Sequence, residues 1–403
     1  MKVLLSLPPN LVESFHEITG LPKEEFFCAS DPIGHRVGSG GGTTYLIEKS
    51  GVSGKKIIIH AGGESRRLPS YSTSGKILTP MPGSGDNLLT MQLPLYKEIM
   101  RKTPNGVNTL IASGDVFIRT SEPLQDIPDA DVICFGLETE LDLATRHGVF
   151  TMSEDKPTML DFMMQKPSME KLVEVDKTHK WLIDIGLWVL SDKAIEMLAK
   201  RSKDEKGNIK YYDLYSDFGR CLGKHPEIDD NELNKLIVRI LPLKGGEFYH
   251  FGTSKELISS TIAVFGEKKS GIHNEIWIEN SFVGRKWKLS EKNIITGVPE
   301  NDWDLVLKSG ECLDVVPIGE KSFVARPYGF EEPFKYVDTG ADDPFKVKVF
   351  PVVDDVEELG VVIKKIFAGE KLSDSYTKVS TEEILNKANL RRLFKQRRKV
   401  YGV

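Results

Sequence analysis

Residues 57–80 hold the densest set of groups able to do chemistry in this 403-residue chain: Ile-Ile-Ile-His-Ala-Gly-Gly-Glu-Ser-Arg-Arg-Leu-Pro-Ser-Tyr-Ser-Thr-Ser-Gly-Lys-Ile-Leu-Thr-Pro. Ile57, Ile58 and Ile59 read as a buried strand that breaks into a turn at Gly62 and Gly63. Neither glycine carries a Cβ, so backbone N–H groups there can close on phosphate oxygens. Ser65, Arg66 and Arg67 follow in the same turn, and Lys76 comes ten residues after Arg66; these cations can hold the charge of a nucleoside triphosphate. The competing reading is an ordinary strand-to-helix turn with solvated basic residues. Gly-Gly, Ser, Arg, Pro and Lys in one segment directly after a strand favour phosphate. No Gly-x-x-x-x-Gly-Lys-Ser/Thr occurs, and no Gly-x-Gly-x-x-Gly follows a strand, so this is neither a Walker loop nor a dinucleotide fingerprint.

Such a loop needs a scaffold. Residues 1–30 read as helical with polar breaks. Gly38-Ser-Gly-Gly-Gly-Thr43 reads as a second glycine-rich loop, in which Gly40, Gly41, Gly42 and Thr43 can lie flat against a base or a phosphate; a flexible surface turn is the alternative. Leu93 to Met100 reads as a helix, while 109–112 and 132–135 read as short apolar strands. Strands alternating with helices predict an α/β fold with a mainly parallel sheet, which binds ligands at the carboxyl ends of its strands. The Gly62-Gly63 loop and Asp115, in Ser113-Gly-Asp115, both fall at such ends and are expected to converge. Asp115 is suited to a magnesium ion on a triphosphate or, equally, to a helix N-cap.

The pattern His-Ala-Gly-Gly-x-Ser-x-Arg-Leu-Pro with Gly-Lys-Ile-Leu-Thr-Pro resembles the loop of sugar-1-phosphate nucleotidylyltransferases, in the form found in the GDP-L-fucose pyrophosphorylases. In some members of that branch this region is the N-terminal half of a bifunctional fucokinase/pyrophosphorylase. The Gly38–Thr43 segment matches the same branch residue for residue. Thr145-Arg-His-Gly-Val149 resembles the family's segment near the sugar, which brings in His147 and Gly148. Gln165-Lys166-Pro167 resembles its Glu-Lys-Pro motif, whose lysine approaches the sugar phosphate. Ile183-Asp184-Ile-Gly186 resembles the Asn-x-Gly strand that contacts the sugar. The resemblance also implies a metal-binding role for Asp115. One departure stands out: where the wider superfamily carries a metal-binding aspartate in Trp-x-Asp-x-Gly-Thr, this chain has His250 in Phe-Tyr-His-Phe-Gly-Thr253. Neutral imidazole is a poor magnesium ligand, so His250 is read as a partner for a phosphate oxygen, the alternative being a site that rests on Asp115 alone.

The resemblance implies a Rossmann-like, GT-A-like nucleotidyltransferase domain over residues 1–265. It also implies a reaction of GTP with β-L-fucose 1-phosphate that yields GDP-L-fucose and pyrophosphate with Mg2+. Arg66, Lys76 and Asp115 would be the catalytic groups. Transfer to another sugar phosphate or from another nucleotide stays open, as does a catalytically silent nucleotide-sugar sensor or regulatory subunit. No kinase glycine motif is present, so the chain is not expected to phosphorylate fucose, and a separate fucokinase would supply the sugar phosphate.

Beyond residue 265 the pattern changes. Val283-Gly284, Leu289-Ser290 and Ile295-Thr296 put an aliphatic residue before a small one at intervals of six, the period of a left-handed β-helix; an irregular antiparallel sheet is the alternative. A β-rich, partly β-helical domain is therefore expected over 266–352, with a helical segment over 353–403. Six of the nine residues 391–399 are Lys or Arg, read as a solvated helix face. A net charge of −5 gives no attraction to nucleic acid or to a membrane. The scattered Cys28, Cys134, Cys221 and Cys312 form no metal-type pair and suit a reduced, cytoplasmic setting.

Overall fold

The computed structural model describes residues 1–32, 36–82, 84–337 and 340–402. Its elements run β1 (Lys2–Ser6), α1 (Pro9–Thr19), β2 (Phe26–Ala29), α2 (Gly38–Ser50), β3 (Lys56–His60), α3 (Leu88–Lys102), β4 (Val107–Ser113), β5 (Val116–Thr120) and β6 (Val132–Leu137). Next come α4 (Leu141–Ala144), β7 (Gly148–Met152), β8 (Leu160–Gln165), α5 (Met169–Val175), β9 (Lys180–Ser191), α6 (Asp192–Arg201), β10 (Val238–Pro242) and β11 (Gly246–His250). The remainder is α7 (Ser254–Phe265), α8 (Glu267–Ser270), β12 (Trp277–Glu279), β13 (Ile294–Thr296), β14 (Glu311–Ile318), β15 (Ser322–Gly329), β16 (Phe350–Val353), α9 (Val356–Phe367), β17 (Lys378–Val379), α10 (Thr381–Lys387) and α11 (Leu390–Tyr401).

The chain forms two units. Unit 1 comprises residues 1–7, 22–62 and 89–248; unit 2 comprises 8–21, 63–88 and 249–403. The boundary runs through the Gly62-Gly63 pair, so the Arg66–Lys76 loop belongs to unit 2 rather than to the contiguous 1–265 block.

Unit 1 is built on a sheet with strand order β10-β6-β9-β4-β3-β1-β2, extended by β7 and β8. All its strands on this path share one direction except β9, which is antiparallel to both β4 and β6. Ile57, Ile58 and Ile59 of β3 are fully buried, as a central strand covered on both faces requires. The helical reading of residues 1–30 is corrected here: only 9–19 are helical, with Pro9 starting the helix, whereas Val3, Leu4 and Leu5 form an inner strand. That apolar run is too short to reveal its period, and pairing with β3 on one side and β2 on the other decides it.

In unit 2, β12, β13 and β14 run parallel, with Trp277 opposite Ile294 and Ile295 opposite Leu313, so each pairing advances the chain by 17 or 18 residues. Val283, Leu289 and Ile295, the aliphatic members of the three hexads, pack on one core with Trp303, Leu313 and Leu359. The chain then turns antiparallel through β15, β16 and β17. The basic segment 391–399 lies within α11 and is not wholly solvated. The Arg397 side chain is 11 % exposed and paired with Glu279, while Arg392 donates to the carbonyls of Ile318, Gly319, Lys321 and Ser322. No helix among the described residues is long and apolar enough to cross a membrane.

Candidate functional site

The carboxyl ends of the unit 1 strands gather one set of the residues singled out above. The Gly114 N–H donates to the carbonyl of His60 at 2.9 Å, and the Ala61 N–H donates to that of Ser6, so the turn at Gly62 and the turn at Asp115 are neighbours. Asp115 follows β4 and precedes β5, not a helix, so the N-cap alternative falls away. Its Oδ1 accepts a hydrogen bond from Ser113 Oγ at 2.7 Å.

On the adjacent β9, Gly186 takes φ 69°, the left-handed region that a side chain resists, and lies where the pairing with β6 slips register. A Cβ there would lie 3.7 Å from Tyr215 Oη and 3.9 Å from Ser113 Cβ, which places Gly186 between the Asp115 turn and Tyr215. Asp184 is 7 % exposed. Its Oδ1 accepts from the Gly186 N–H (2.8 Å) and from Trp188 Nε1 (3.0 Å). Burial pushes its carboxyl up to about 6 against these two hydrogen bonds, so near neutrality it exchanges a proton where an ordinary aspartate does not.

β7 pairs with β9, Val149 opposite Ile183, which sets Gly148 beside this cluster. The Lys166 N–H donates to the carbonyl of His147 at 3.0 Å, and Lys166 itself has φ 45°, ending β8 with its side chain exposed. The His147 ring meets Phe248 edge-on at 5.6 Å. Asp115, His147, Gly148, Lys166, Asp184 and Gly186 thus come together in unit 1, and Ser113 and Tyr215 join them. Ser113 opens the Ser-Gly-Asp motif without being singled out itself, and Tyr215, within the aromatic run 211–215, carries no signal for this site.

Gly38–Thr43 departs from expectation. It is no loop but the start of α2, and Gly40, Gly41, Gly42 and Thr43 are buried. Glycines weaken a helix, by about 1 kcal/mol each relative to alanine, so close packing must require them. A Cβ on Gly41 would come within 2.8 Å of the Lys210 carbonyl, and one on Gly42 within 3.2 Å of the His60 ring. The Gly41 N–H is already spent on Tyr212 O (2.9 Å), and Thr43 Oγ1 lies 2.9 Å from His60 Nε2. Burial drives the His60 imidazole down to about 4, so it is neutral.

Unit 2 holds the second set. Gly63 and Ser65 open the loop, and Ser65 takes φ 52°. Arg66 gives Nη1 and Nη2 to Asp343 (2.8 and 3.3 Å) and Nε to Glu64 (2.7 Å), and stacks on Phe345 at 4.4 Å. Its charge is therefore balanced by a residue 277 positions away, which no local reading finds. Lys76 Nζ donates to Gly252 O at 3.0 Å. His250 Nδ1 lies 3.0 Å from Glu256 Oε2. Burial works to raise the Glu256 carboxyl, but His250, Thr253 and the charge of Arg67 bring it down to about 2. Lys76, Arg67 and His250 thus share the neighbourhood of Gly252 and Glu256.

Three buried contacts hold the middle of this loop. Ser70 Oγ lies 2.7 Å from Tyr328 Oη and receives a bond from Thr296. Arg326 Nη2 bridges Pro69 O and Asp314. Tyr71 Oη donates to Glu279 at 3.2 Å and accepts from Trp277 at 2.9 Å.

Residues 52–276 match the fucose pyrophosphorylase domain. The chain is 46 % identical to an L-fucokinase/L-fucose-1-P guanylyltransferase of Bacteroides fragilis, over 98 % of this chain and 50 % of that protein. It is 24 % identical to a bifunctional fucokinase/GDP-fucose pyrophosphorylase of Arabidopsis thaliana, over 73 % and 32 %. A fucose-1-phosphate guanylyltransferase of Mus musculus is 23 % identical, over 58 % and 50 %. The chain spans about half the length, or less, of these curated relatives. With more than half of its own residues inside the matched domain, it belongs to the fucose pyrophosphorylase family.

Proposed function

We propose that this chain forms GDP-L-fucose and pyrophosphate from GTP and β-L-fucose 1-phosphate. The observation that carries the reading is the family match across 52–276, which takes in the Arg66–Lys76 loop, Asp115 and the 147–186 segment together. A phosphate oxygen of the sugar phosphate attacks the α-phosphorus of GTP. A new P–O bond forms there, the bond to the β,γ-pyrophosphate breaks, and its electron pair leaves with pyrophosphate. The nucleophile is already an anion, so no strong base is needed; the work is positioning and charge neutralisation.

In this reading Gly62, Gly63 and Ser65 supply backbone donors to the phosphates. Arg66, with Arg67, takes the departing pyrophosphate by exchanging Asp343 for it, and Lys76 sits on the triphosphate. Lys166 holds the sugar phosphate, while His147, Gly148, Asp184 and Gly186 line the sugar. Gly40–Thr43 serve the nucleotide indirectly, by seating the neutral His60 ring beneath the Gly62 turn. His250, held by Glu256, faces a phosphate oxygen.

Among the described residues no three or more of His, Cys, Asp or Glu are grouped so as to hold a metal ion. One carboxylate, Asp115, suits an ion that arrives with the triphosphate and keeps several waters. Bound there, it would neutralise charge on the phosphates. The reading extends to a left-handed coil in the β12–β14 region, a cytoplasmic setting and a separate kinase as source of the sugar phosphate.

The test is pyrophosphate release from GTP, Mg2+ and β-L-fucose 1-phosphate, with mass spectrometry of the product. Release that depends on both substrates and yields GDP-fucose is expected. Release with a different nucleotide or sugar phosphate would replace the substrates named here. GDP-fucose binding by folded protein without any release would favour a sensor, a reading that the His250–Glu256 pair at the superfamily's aspartate position keeps in play.

A further inference from the structure

Unit 2 contains a cavity of about 810 Å3 to which the reading above gives no role. Its size is that of a small-molecule site. One wall is the end of the loop that carries Lys76, from Leu78 through Pro80–Pro82 to Asn87; the others come from 269–279 and α11. The lining is apolar and aromatic, with Trp277, the exposed Ile278 and the half-exposed ring of Tyr401. Three cations line this surface, the exposed Lys269 and Arg398 and the largely buried Arg397. Arg397 spends Nε and Nη2 on the two oxygens of Glu279, at 2.6 and 3.0 Å, and its Nη1 has no protein partner among the described residues. Lys269 and Arg398 are exposed and have no ion pair among the described residues. Two carboxylates also line it, Asp86 at the loop wall and Glu279, which is already matched to Arg397.

We infer that this cavity is an effector site for a nucleoside diphosphate, acting on the same enzyme whose reaction is proposed above. Three cations against Asp86 and Glu279 leave the lining with excess positive charge, and a diphosphate would be held by Lys269, Arg398 and the spare Arg397 Nη1 through charge-assisted bonds. A planar base gains by covering Ile278 and stacking on Tyr401. The route to catalysis is short. Tyr71 Oη, in the triphosphate loop, donates to the same Glu279 that Arg397 holds, so an anion drawing on Arg397 alters the partner that fixes residue 71. Ligand binding acts on turnover to the extent that it favours one loop arrangement over another.

GDP is the probe, since it will also compete at the catalytic site and the two effects separate kinetically. In the wild-type chain, inhibition of pyrophosphate release by GDP should be mixed with respect to GTP, and calorimetry should count two GDP sites. Arg398→Glu combined with Tyr401→Ala changes only exposed side chains outside the catalytic set. It should leave the uninhibited kcat and KM unchanged, make inhibition purely competitive and remove one GDP site. Purely competitive inhibition with one site in the wild type, or mixed inhibition unchanged in the variant, overturns the inference. If no pyrophosphate is released, the proposed reaction fails on its own. Calorimetry still decides the cavity: a GDP site lost in the variant supports it, and no site lost overturns it.

Discussion

At the strand ends of unit 1, burial shifts titratable groups toward their uncharged forms. Asp184 has its carboxyl raised to about 6, and His60 its imidazole lowered to about 4, both chiefly by desolvation. In unit 2 the charges are kept and paired: Arg66 with Asp343 and Glu64, Glu256 with His250, Arg326 with Asp314, Arg397 with Glu279. The contrast suits two tasks. On the reading proposed above, the buried groups of unit 1 would receive the sugar by hydrogen bonds. On the same reading the loop would bring cations to a triphosphate, and Arg66 is paired with Glu64 and with the remote Asp343. Removing a buried partner should therefore cost far more in unit 2 than neutralising a buried group costs in unit 1.

The largest effect is expected at the Arg326–Asp314 pair, whose side chains are 3 % and 2 % exposed. Arg326→Met strands a buried carboxylate and frees Pro69, and should destabilise unit 2 by about 3–5 kcal/mol in urea unfolding. Adding Asp314→Leu should recover most of that loss; if it does not, the bond to Pro69 matters more than the ion pair.

Asp184→Asn probes the opposite case. The folded carboxyl titrates near 6, above its unfolded value of 3.8, so the native state binds the extra proton between those values. Stability from this group is full below pH 3.8 and is lost as pH rises through 6, a difference of about 3 kcal/mol. The asparagine variant should lose that slope and melt higher than the parent at pH 7.5. A lower melting temperature there would show that the ionised carboxylate is a net asset.

For Lys76→Ala, turnover should fall more than tenfold while the melting temperature barely moves, because the Lys76 side chain is part-exposed and its contacts are screened by water. Full activity would remove Lys76 from the site. The smallest effect belongs to Asp343→Asn. If Asp343 competes with pyrophosphate for Arg66, the KM for GTP should drop a few-fold with stability unchanged, since the pair is solvent-accessible. An unchanged KM would separate Arg66 from the triphosphate.

The sequence by itself determined the chemistry of the loop and its seat after a buried strand. Three isoleucines in a row, two glycines and three cations are local facts, and they hold whatever lies far away. It also marked the stretch at Asp115 and those at 147–148, 166 and 184–186, which the sheet then drew together. Tertiary structure decided the rest, because those outcomes depend on partners remote in the chain. Residues 2–6 became a strand because β3 and β2 stood on either side. Gly38–Thr43 became a helix because the Lys210 and Tyr212 carbonyls press on it, which only glycine allows. Arg66 met Asp343, and Arg397 left a run of solvated cations for Glu279, because a buried charge goes where a counter-charge waits. No local pattern records where that is.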